Sequence, residues 1–365
     1  MTSADKKFLI AFGQFPKIGP VRLKKLKNHF SSWQAAFTSP SVELVRAGIE
    51  ENVAAEFVAA RAAINPDKIL LQLEEEKIQT VSLEEDEYPA LLKEIFYPPF
   101  LLYYKGDFSL INKKCLAVVG ARKCTYYGQQ VIEKIIPPLV KNNLVIISGL
   151  AVGIDSLAQL ETLKVGGKTI AILGSGINQN SIYPAQNLTL AENIIEAGGA
   201  IVSEFSPGTP PLKQNFPQRN RIIAGLAQAT LVVEANEKSG SLITARFALE
   251  EGREVMAVPG NIFSPASSGP NNLIKSGAKP IFSAEDILES FGFFPEKNLE
   301  NDKRDLSQFN LVEQKILAKL SCEPLELDEL IRTTELDTKI INSTLTILEI
   351  KKAVKNIGGG NYILT

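Results

Sequence analysis

The sequence predicts an α/β protein with a doubly wound, mostly parallel sheet. A unit of apolar strand, glycine turn and amphipathic helix begins at Cys115 and recurs as far as residue 277. Its strands, such as 115–119 and 169–173, are continuous apolar runs, which is typical of strands covered on both faces. The chain has 365 residues, of which 45% are hydrophobic, so it is long enough for two or three domains with buried cores.

Residues 1–65 lack this repeat, and their patterns predict short helices. The Lys-Ile-Gly-Pro turn at 17–20 resembles the glycine turn of helix-hairpin-helix modules, whose backbone N–H groups contact DNA phosphates. The alternative is a docking domain in which Gly19 only ends a turn. We therefore predict a small helical domain of the SAM or helix-hairpin-helix type at 1–65, followed by the α/β domain at 66–295.

The C-terminal part begins with a polar, charged linker at 296–306. Residues 307–365 then show three helical patterns and a hairpin over a Gly-Gly-Gly turn, which is the layout of a winged-helix domain. The predicted recognition helix, 337–349, carries Lys339 as its only base. Helices that read the major groove usually present Arg, Lys, Asn or Gln, so we expect this domain to dock on protein.

Composition excludes several classes of function. No apolar run of about 18 residues occurs and the first residues lack a cleavage pattern, so we expect neither a membrane span nor a signal peptide. Cys115, Cys124 and Cys322 show no CxxC spacing, which favours reduced thiols in the cytoplasm over disulfides or zinc. His29 is the only histidine and lies in a Lys-rich helical stretch, so it is expected at the surface. We expect no metal and no cofactor.

One segment, 203–225, concentrates positive charge beside an aromatic ring. Its candidate binding residues are Lys213, Phe216, Arg219 and Arg221. No Asp or Glu occurs from 206 to 233, although the formal net charge of the protein is −2. Prolines keep the segment extended until a helical pattern begins at 220, so its bases would flank a helix N-terminus, which favours anions. The alternative is that these arginines are solvated or ion-paired and that the ring is part of the core.

Glycine turns follow successive strands, where parallel sheets bind ligands. They include Gly120-Ala121-Arg122, Ser148-Gly149 and Gly174-Ser175-Gly176. A dinucleotide would require GxGxxG after the first strand, where this chain has GARKCT, and an acid at the end of the second. The pattern therefore favours an anion cradle of another kind.

The motifs as a set resemble the DNA processing protein A (DprA/Smf) family. They are GARK at 120–123, SGLAVGID at 148–155, ILGSG at 172–176, YPAQN at 183–187, SEFSPGTPP at 203–211, NFPQRNRIIAGL at 215–226, SGSLITARFALEEGREV at 239–255 and AVPG at 257–260. The resemblance implies a Rossmann-like domain, in a homodimer, that binds single-stranded DNA. It also implies protection of incoming strands and loading of the RecA recombinase onto them during natural transformation, with no reaction catalysed.

The resemblance also implies roles for particular residues. The phosphate clamps and the stacking ring would be Arg122, Lys213, Phe216, Arg219 and Arg221. The backbone cradle would be formed by Gly120, Ser148, Gly149, Gly174, Gly176, Gly240 and Ser241. The dimer patch would include Asn272, Leu273 and Ile274. The chain departs from the family pattern at Val152, Gln159 and Ala185, where bases or a histidine are common. Losing charges there is expected to weaken DNA binding and its salt dependence, by about 0.7 in slope per phosphate.

Two other functions remain open from the sequence. The first is a nucleotide N-glycosidase of the phosphoribohydrolase type, which has a related sheet. Its PGGxGTxxE signature is absent, and Glu250 and Glu251 in the nearest stretch are far from the glycine turn. The second is a nucleotide-sensing scaffold with no role on DNA, which would bind mononucleotides tightly and ignore oligonucleotides.

Overall fold

The computed structural model describes residues 3–293, 309–320, 325–334, 336–351, 353–358 and 360–364. It divides into two compact units, residues 1–294 and 295–365. The predicted linker at 296–306 and the thiol of Cys322 lie outside the described residues.

The first unit contains fourteen described α-helices and one nine-stranded sheet. The helices are α1 (Ser3–Phe12), α2 (Pro20–His29), α3 (Trp33–Thr38), α4 (Ser41–Arg46), α5 (Glu51–Ala60), α6 (Pro66–Glu75), α7 (Ala90–Lys93), α8 (Tyr126–Lys141), α9 (Ile154–Lys164), α10 (Leu188–Glu196), α11 (Asn215–Leu226), α12 (Gly240–Glu250), α13 (Ser268–Lys275) and α14 (Ala284–Ser290). The strands are β1 (Gln79–Ser82), β2 (Leu101–Gly106), β3 (Cys115–Val119), β4 (Val145–Ser148), β5 (Thr169–Leu173), β6 (Ala200–Ser203), β7 (Ala229–Val232), β8 (Glu254–Ala257) and β9 (Lys279–Pro280).

The strand order is β1-β2-β6-β5-β4-β3-β7-β8-β9. The strands from β3 to β9 pair in parallel, and β2 and β1 extend the sheet antiparallel at one edge. This confirms the predicted mostly parallel α/β sheet. The chain runs outward from β3 in one direction and from β7 in the other, so the strand order reverses between these two neighbours. Crevices for ligands form at the carboxyl ends of the strands at such a point.

The strands are continuous apolar runs because helices cover both faces of the sheet. Val118 and Ile146 pack with α8 on one face, while Ala117 and Ile147 belong to the core on the other. All five residues of β3 are buried. This two-sided burial explains why the sequence shows no alternation of apolar and polar residues.

The N-terminal helices pack through an aromatic cluster. The rings of Phe12 and Phe57 stack at 5.0 Å between centroids, and Trp33 meets Phe12 edge to face at 6.1 Å. The same core includes Leu173 of β5. At the Gly19 turn, Lys17 and Arg22 pair with Glu56 and Glu50, so the bases beside the turn are already neutralised by acids of α5 and its N-cap.

The second unit consists of α15 (Leu311–Leu317), α16 (Leu327–Thr334), α17 (Thr338–Ile350), β10 (Leu325–Glu326), β11 (Val354–Gly358) and β12 (Asn361–Leu364). Its antiparallel strands are ordered β10-β12-β11. The helix α15 begins with a capping box, in which Asn310 and Glu313 satisfy each other's backbone N–H groups. Three helices and a small sheet with a terminal hairpin are the predicted winged-helix layout.

Candidate nucleic-acid interface

A cleft of about 780 Å³ opens at the carboxyl ends of the parallel strands. It is lined by the β3–α8 turn, the loop before α11, the first turns of α11 and the N-terminus of α12. Its lining includes seven of the predicted binding residues: Gly120, Arg122, Lys213, Phe216, Arg219, Gly240 and Ser241. The fold therefore brings together segments that are about 120 residues apart in the chain.

Arg122 and Lys213 are the exposed cations of this cleft that the sequence predicted. Among the described residues neither has an acidic group within 4.0 Å. The Arg122 guanidinium lies 5.8 Å from the centroid of the Phe216 ring, a cation–π distance. Lys123, which the sequence analysis did not select, is a third exposed base in the lining.

Phe216 is half-buried and rests against a glycine. A Cβ atom on Gly174 would lie 2.8 Å from Cδ1 of the ring, so only glycine leaves room for the ring in this position. Tyr183 lies beside it, with 5.6 Å between ring centroids and 53° between planes, and is 46% exposed. This second aromatic residue was missed as a binding residue, although it begins the YPAQN motif.

Arg219 lies in the floor of the cleft and is only 4% exposed. Its Nη1 donates to the carbonyl oxygen of Gly149 at 2.8 Å and to that of Ile172, and its Nε donates to Asn220. Burial lowers the pKa of Arg219 to about 10, while the neighbouring Asp155 carboxylate opposes this. The side chain thus joins α11 to the ends of two strands and contributes charge from beneath the surface.

Arg221 does not line the cleft. It forms an ion pair with Glu204, and both side chains are largely buried. Among its described neighbours, its Nη1 has no hydrogen-bond partner. Burial raises the pKa of Glu204, and the Arg221 charge opposes that rise. The structure therefore gives Arg221 a role in holding α11 against the end of β6.

The other predicted cradle residues lie beneath the cleft. The Ser148 hydroxyl donates to the carbonyl oxygen of Val118 at 2.6 Å, which ties β4 to β3. The Gly176 N–H donates to the carbonyl oxygen of Thr209 at 2.9 Å. Gly176 thereby supports the proline-rich loop from below.

Two buried acids accept hydrogen bonds from backbone N–H groups at this end of the sheet. The Gly149 N–H donates to Asp155 Oδ2 at 3.1 Å. Burial raises the pKa of Asp155, and Arg219 and the N–H donors oppose that rise. Glu234 accepts from the N–H of Thr125 at 2.8 Å and from its hydroxyl at 2.5 Å. Thr125 is the N-cap of α8, so a carboxylate already occupies that helix terminus.

The three departures from the family pattern lie outside the cleft lining. Gln159 is fully buried and donates from Nε2 to the carbonyl oxygen of Ile170 at 3.2 Å. Val152 is half-buried and Ala185 is exposed.

The predicted dimer residues lie on α13. Asn272 is exposed, while Leu273 and Ile274 are half-buried. Two strongly exposed apolar side chains precede this helix, Ile262 at 81% and Phe263 at 87%.

The described residues contain no group of three or more His, Cys, Asp or Glu side chains that could hold a metal ion. No helix among them is long and apolar enough to cross a membrane. His29 is at the surface, 3.8 Å from Glu43 and against the ring of Phe30. A second cleft of about 620 Å³ is lined in part by the segment 204–218, and among the described residues Glu204 is the one charged residue in its lining.

The fold and the first cleft define a Rossmann-like α/β protein whose open, cationic cleft at the carboxyl ends of the strands suits a polyanion. Comparison with known sequences makes this specific: residues 79–292 match the family described as DNA recombination-mediator protein A, and residues 302–360 match the DprA winged helix domain. The chain belongs to the DNA recombination-mediator protein A family.

Individual relatives agree. The chain is 35% identical to protein Smf of Synechocystis over 99% of both chains. It is 44% identical to DNA processing protein DprA of Bacillus subtilis, over 64% of this chain and 77% of the relative. An X-ray structure of DNA processing protein A from Streptococcus pneumoniae superposes with a TM-score of 0.67 at 37% identity, covering 79% of this chain and 99% of that one.

A structure of DNA processing protein A from Helicobacter pylori, described for its single-stranded DNA binding mode, is also similar. It superposes with a TM-score of 0.53 at 29% identity, covering 59% of this chain and 95% of that one.

Proposed function

We propose that this protein is a recombination mediator that binds single-stranded DNA in the first cleft, protects it and presents it to the RecA recombinase. The observation that carries the proposal is that two exposed cations with no acidic partner among the described residues, Arg122 and Lys213, line the same cleft as the Phe216 ring. Family membership and the single-stranded DNA bound by the H. pylori relative support it.

The cleft has the chemistry of a strand-binding groove. Arg122 and Lys213 contact phosphates, and Phe216 stacks a base, an interaction worth about 1 to 3 kcal/mol by truncation. Neutral side chains such as Asn220 and Ser241 also line the cleft. Stacking tolerates any base, so little sequence preference is expected.

We further propose a homodimer through the surface around α13, acting in the cytoplasm. The exposed apolar side chains Ile262 and Phe263 next to this helix support that surface. A dimer carries two copies of the cleft. When one copy binds a strand, the second is held near the same strand at a high effective concentration, which raises the avidity. The winged-helix unit is proposed to dock on protein, since α17 carries Lys339 as its only base.

We propose no catalytic reaction. Among the described residues Asp155 is the only acid in the cleft lining, and its carboxylate accepts from the Gly149 N–H and lies beside Arg219. Glu250 and Glu251, in the stretch nearest to the glycosidase signature, lie outside the cleft lining, and Glu251 accepts from the Phe96 N–H at 3.1 Å. Incubation with nucleoside monophosphates should release no free base, and steady release would favour the enzyme.

The decisive experiment is a titration of an oligo-dT strand with wild-type protein and with the Arg122→Ala/Lys213→Ala double variant. Loss of two phosphate contacts is expected to weaken binding roughly tenfold or more near physiological salt. Lys141→Ala, at the far end of α8, is the matched control and should bind normally. Unchanged affinity in the double variant would refute the proposed site.

A size-exclusion run with and without poly-dT tests the assembly. A dimer that shifts with the strand supports the proposal, and a monomer at all concentrations contradicts it. Recombinase loading is tested by RecA filament formation on strands already coated with a single-strand binding protein. Filaments should form faster with wild-type protein than with the double variant.

A further inference from the structure

Two buried carboxylates occupy the N–H groups that parallel nucleotide-binding sheets leave free. In such sheets the turn after the first strand and the following helix N-terminus bind phosphate through backbone N–H groups. Here Asp155 accepts the Gly149 N–H at 3.1 Å, and Glu234 accepts the Thr125 N–H at 2.8 Å. Gly149 follows β4 and Thr125 follows β3, and the strand order reverses between β3 and its other neighbour, β7.

Asp155 is surrounded by groups that suit an anion. The Gly149 N–H donates to its carboxylate at 3.1 Å, and the nearby Arg219 guanidinium adds a positive charge. A Cβ atom on Gly149 would lie 2.8 Å from Asp155 Oδ2 and 2.6 Å from Arg219 Nη2. The carboxylate is only 7% exposed, yet it belongs to the cleft lining.

Glu234 closes the other phosphate position. It is 1% exposed, and it bonds both the N–H and the hydroxyl of Thr125. Because Thr125 caps the 16-residue helix α8, the carboxylate is held where that helix end favours negative charge. The N–H of the N-cap residue is therefore already bonded to a carboxylate.

We propose that Asp155 is an internal anion that substitutes for a nucleotide phosphate at the crest, so that the cleft selects a polynucleotide strand over free nucleotides. This rests on the proposed function. With the floor occupied, phosphates are confined to the rim at Arg122 and Lys213. A strand makes several rim contacts in series, whereas a mononucleotide has one phosphate, and the Gly149 and Thr125 N–H groups are already bonded to carboxylates.

The test is anion rescue of Asp155→Ala. Removing the carboxylate frees the Gly149 N–H and leaves the Arg219 charge without a neighbouring acid, so phosphate should bind in its place. The Tm of this variant should rise by about 2 °C or more for each tenfold increase in inorganic phosphate above its Kd, relative to chloride at equal ionic strength. The Tm of the wild-type protein should be the same in phosphate and in chloride.

Glu204→Ala is the matched control, because it also removes a buried acid that lies near an arginine. Glu204 has Arg221 as its hydrogen-bond partner and lies outside the first cleft. An equal phosphate effect in both variants, or none in Asp155→Ala, would overturn the proposal. If Asp155→Ala does not fold in chloride, it is refolded in phosphate: recovery in phosphate alone supports the proposal, and failure in both overturns it.

Nucleotide binding provides the second measurement. Equilibrium dialysis with dTMP should detect binding to Asp155→Ala that exceeds wild-type binding at least about tenfold, with thymidine as the phosphate-free comparison. Equal dTMP binding by the two proteins contradicts the inference. Failure of the wild-type protein to bind oligo-dT would instead refute the proposed function, so the two failures are distinguishable.

Discussion

Replacing Lys213 with Gln is expected to reduce the salt dependence of single-stranded DNA binding by a calculable amount. Each phosphate that a base neutralises on a single strand contributes about 0.7 to the slope of log affinity against log salt. The cleft lining contains three exposed bases, Arg122, Lys123 and Lys213. The wild-type slope should therefore be about 2 per subunit, and it should fall to about 1.4 in Lys213→Gln.

These slopes give measurable affinities. Between about 50 and 200 mM salt, wild-type binding should weaken about 18-fold and Lys213→Gln binding about 7-fold. Fluorescence anisotropy of a labelled oligo-dT at several salt concentrations measures both slopes. Arg122→Gln should give the same reduction, and it should also lose the cation–π contact with Phe216.

Lys141→Gln controls for the overall charge of the protein. Lys141 ends α8, whose 16 residues place it about 24 Å from the crest end of that helix. That separation exceeds the Debye length of about 8 Å at physiological salt, so the slope should remain at the wild-type value. A wild-type slope in Lys213→Gln, or an equal reduction in Lys141→Gln, would refute the assignment of these bases to phosphate contacts.

Three further predictions concern the aromatic rings of Tyr183 and Phe216 and the core. Tyr183→Ala should weaken oligo-dT binding by about 1 to 3 kcal/mol without altering the salt slope, whereas Tyr183→Phe should bind normally; a changed slope would contradict stacking. Gly174→Ala should displace the Phe216 ring and weaken binding several-fold in the same titration, because its Cβ atom would lie 2.8 Å from Cδ1; normal affinity would show that this seat is unimportant. Burial raises the pKa of Cys115 from 9.0 to about 12, so the folded state keeps a neutral thiol that the unfolded chain ionises. This group therefore leaves the free energy of unfolding unchanged below pH 9 and lowers it by up to about 4 kcal/mol as the pH rises to 12. In urea unfolding measured across this pH range, Cys115→Ala should show a smaller decrease than the wild type. An unchanged profile would contradict the prediction.

The sheet was predictable because its signal is local. The buried strands β3, β4, β5 and β8 are largely apolar runs that end at or near a glycine, and this pattern does not depend on distant residues. The position of the cleft was predictable from topology, since the carboxyl ends of parallel strands lie at one edge of the sheet. Thus Arg122 and Phe216 could be assigned to one cleft although 94 positions separate them.

The partner of Arg221 was not predictable from charge counting along the segment. The stretch without acids begins at 206, and Glu204 lies just before it, at the end of β6. Folding returns α11 to that strand end and forms the ion pair. A local count of charges cannot reveal a contact that depends on the packing of two elements.

The start of α11 also differs from the expectation. The sequence predicted a loop up to residue 220, but the helix begins at Asn215 and contains Pro217 in its first turn. A proline is tolerated there because the first N–H groups of a helix have no intrahelical partner. The earlier start places Phe216 and Arg219 on a rigid helix, which fixes the ring above the floor of the cleft.

The cleft gains its selectivity for polyanions from where its charges lie. Its lining holds four bases and one acid, although the whole protein has a formal net charge of −2. Arg219 and Asp155 are buried together and largely offset each other at the floor, so the excess positive charge belongs to exposed side chains at the rim. Exposed charges are screened by salt far more than buried ones. Because the acid is at the floor and the bases are at the rim, salt should weaken strand binding strongly while leaving the buried pair, and with it the shape of the cleft, intact.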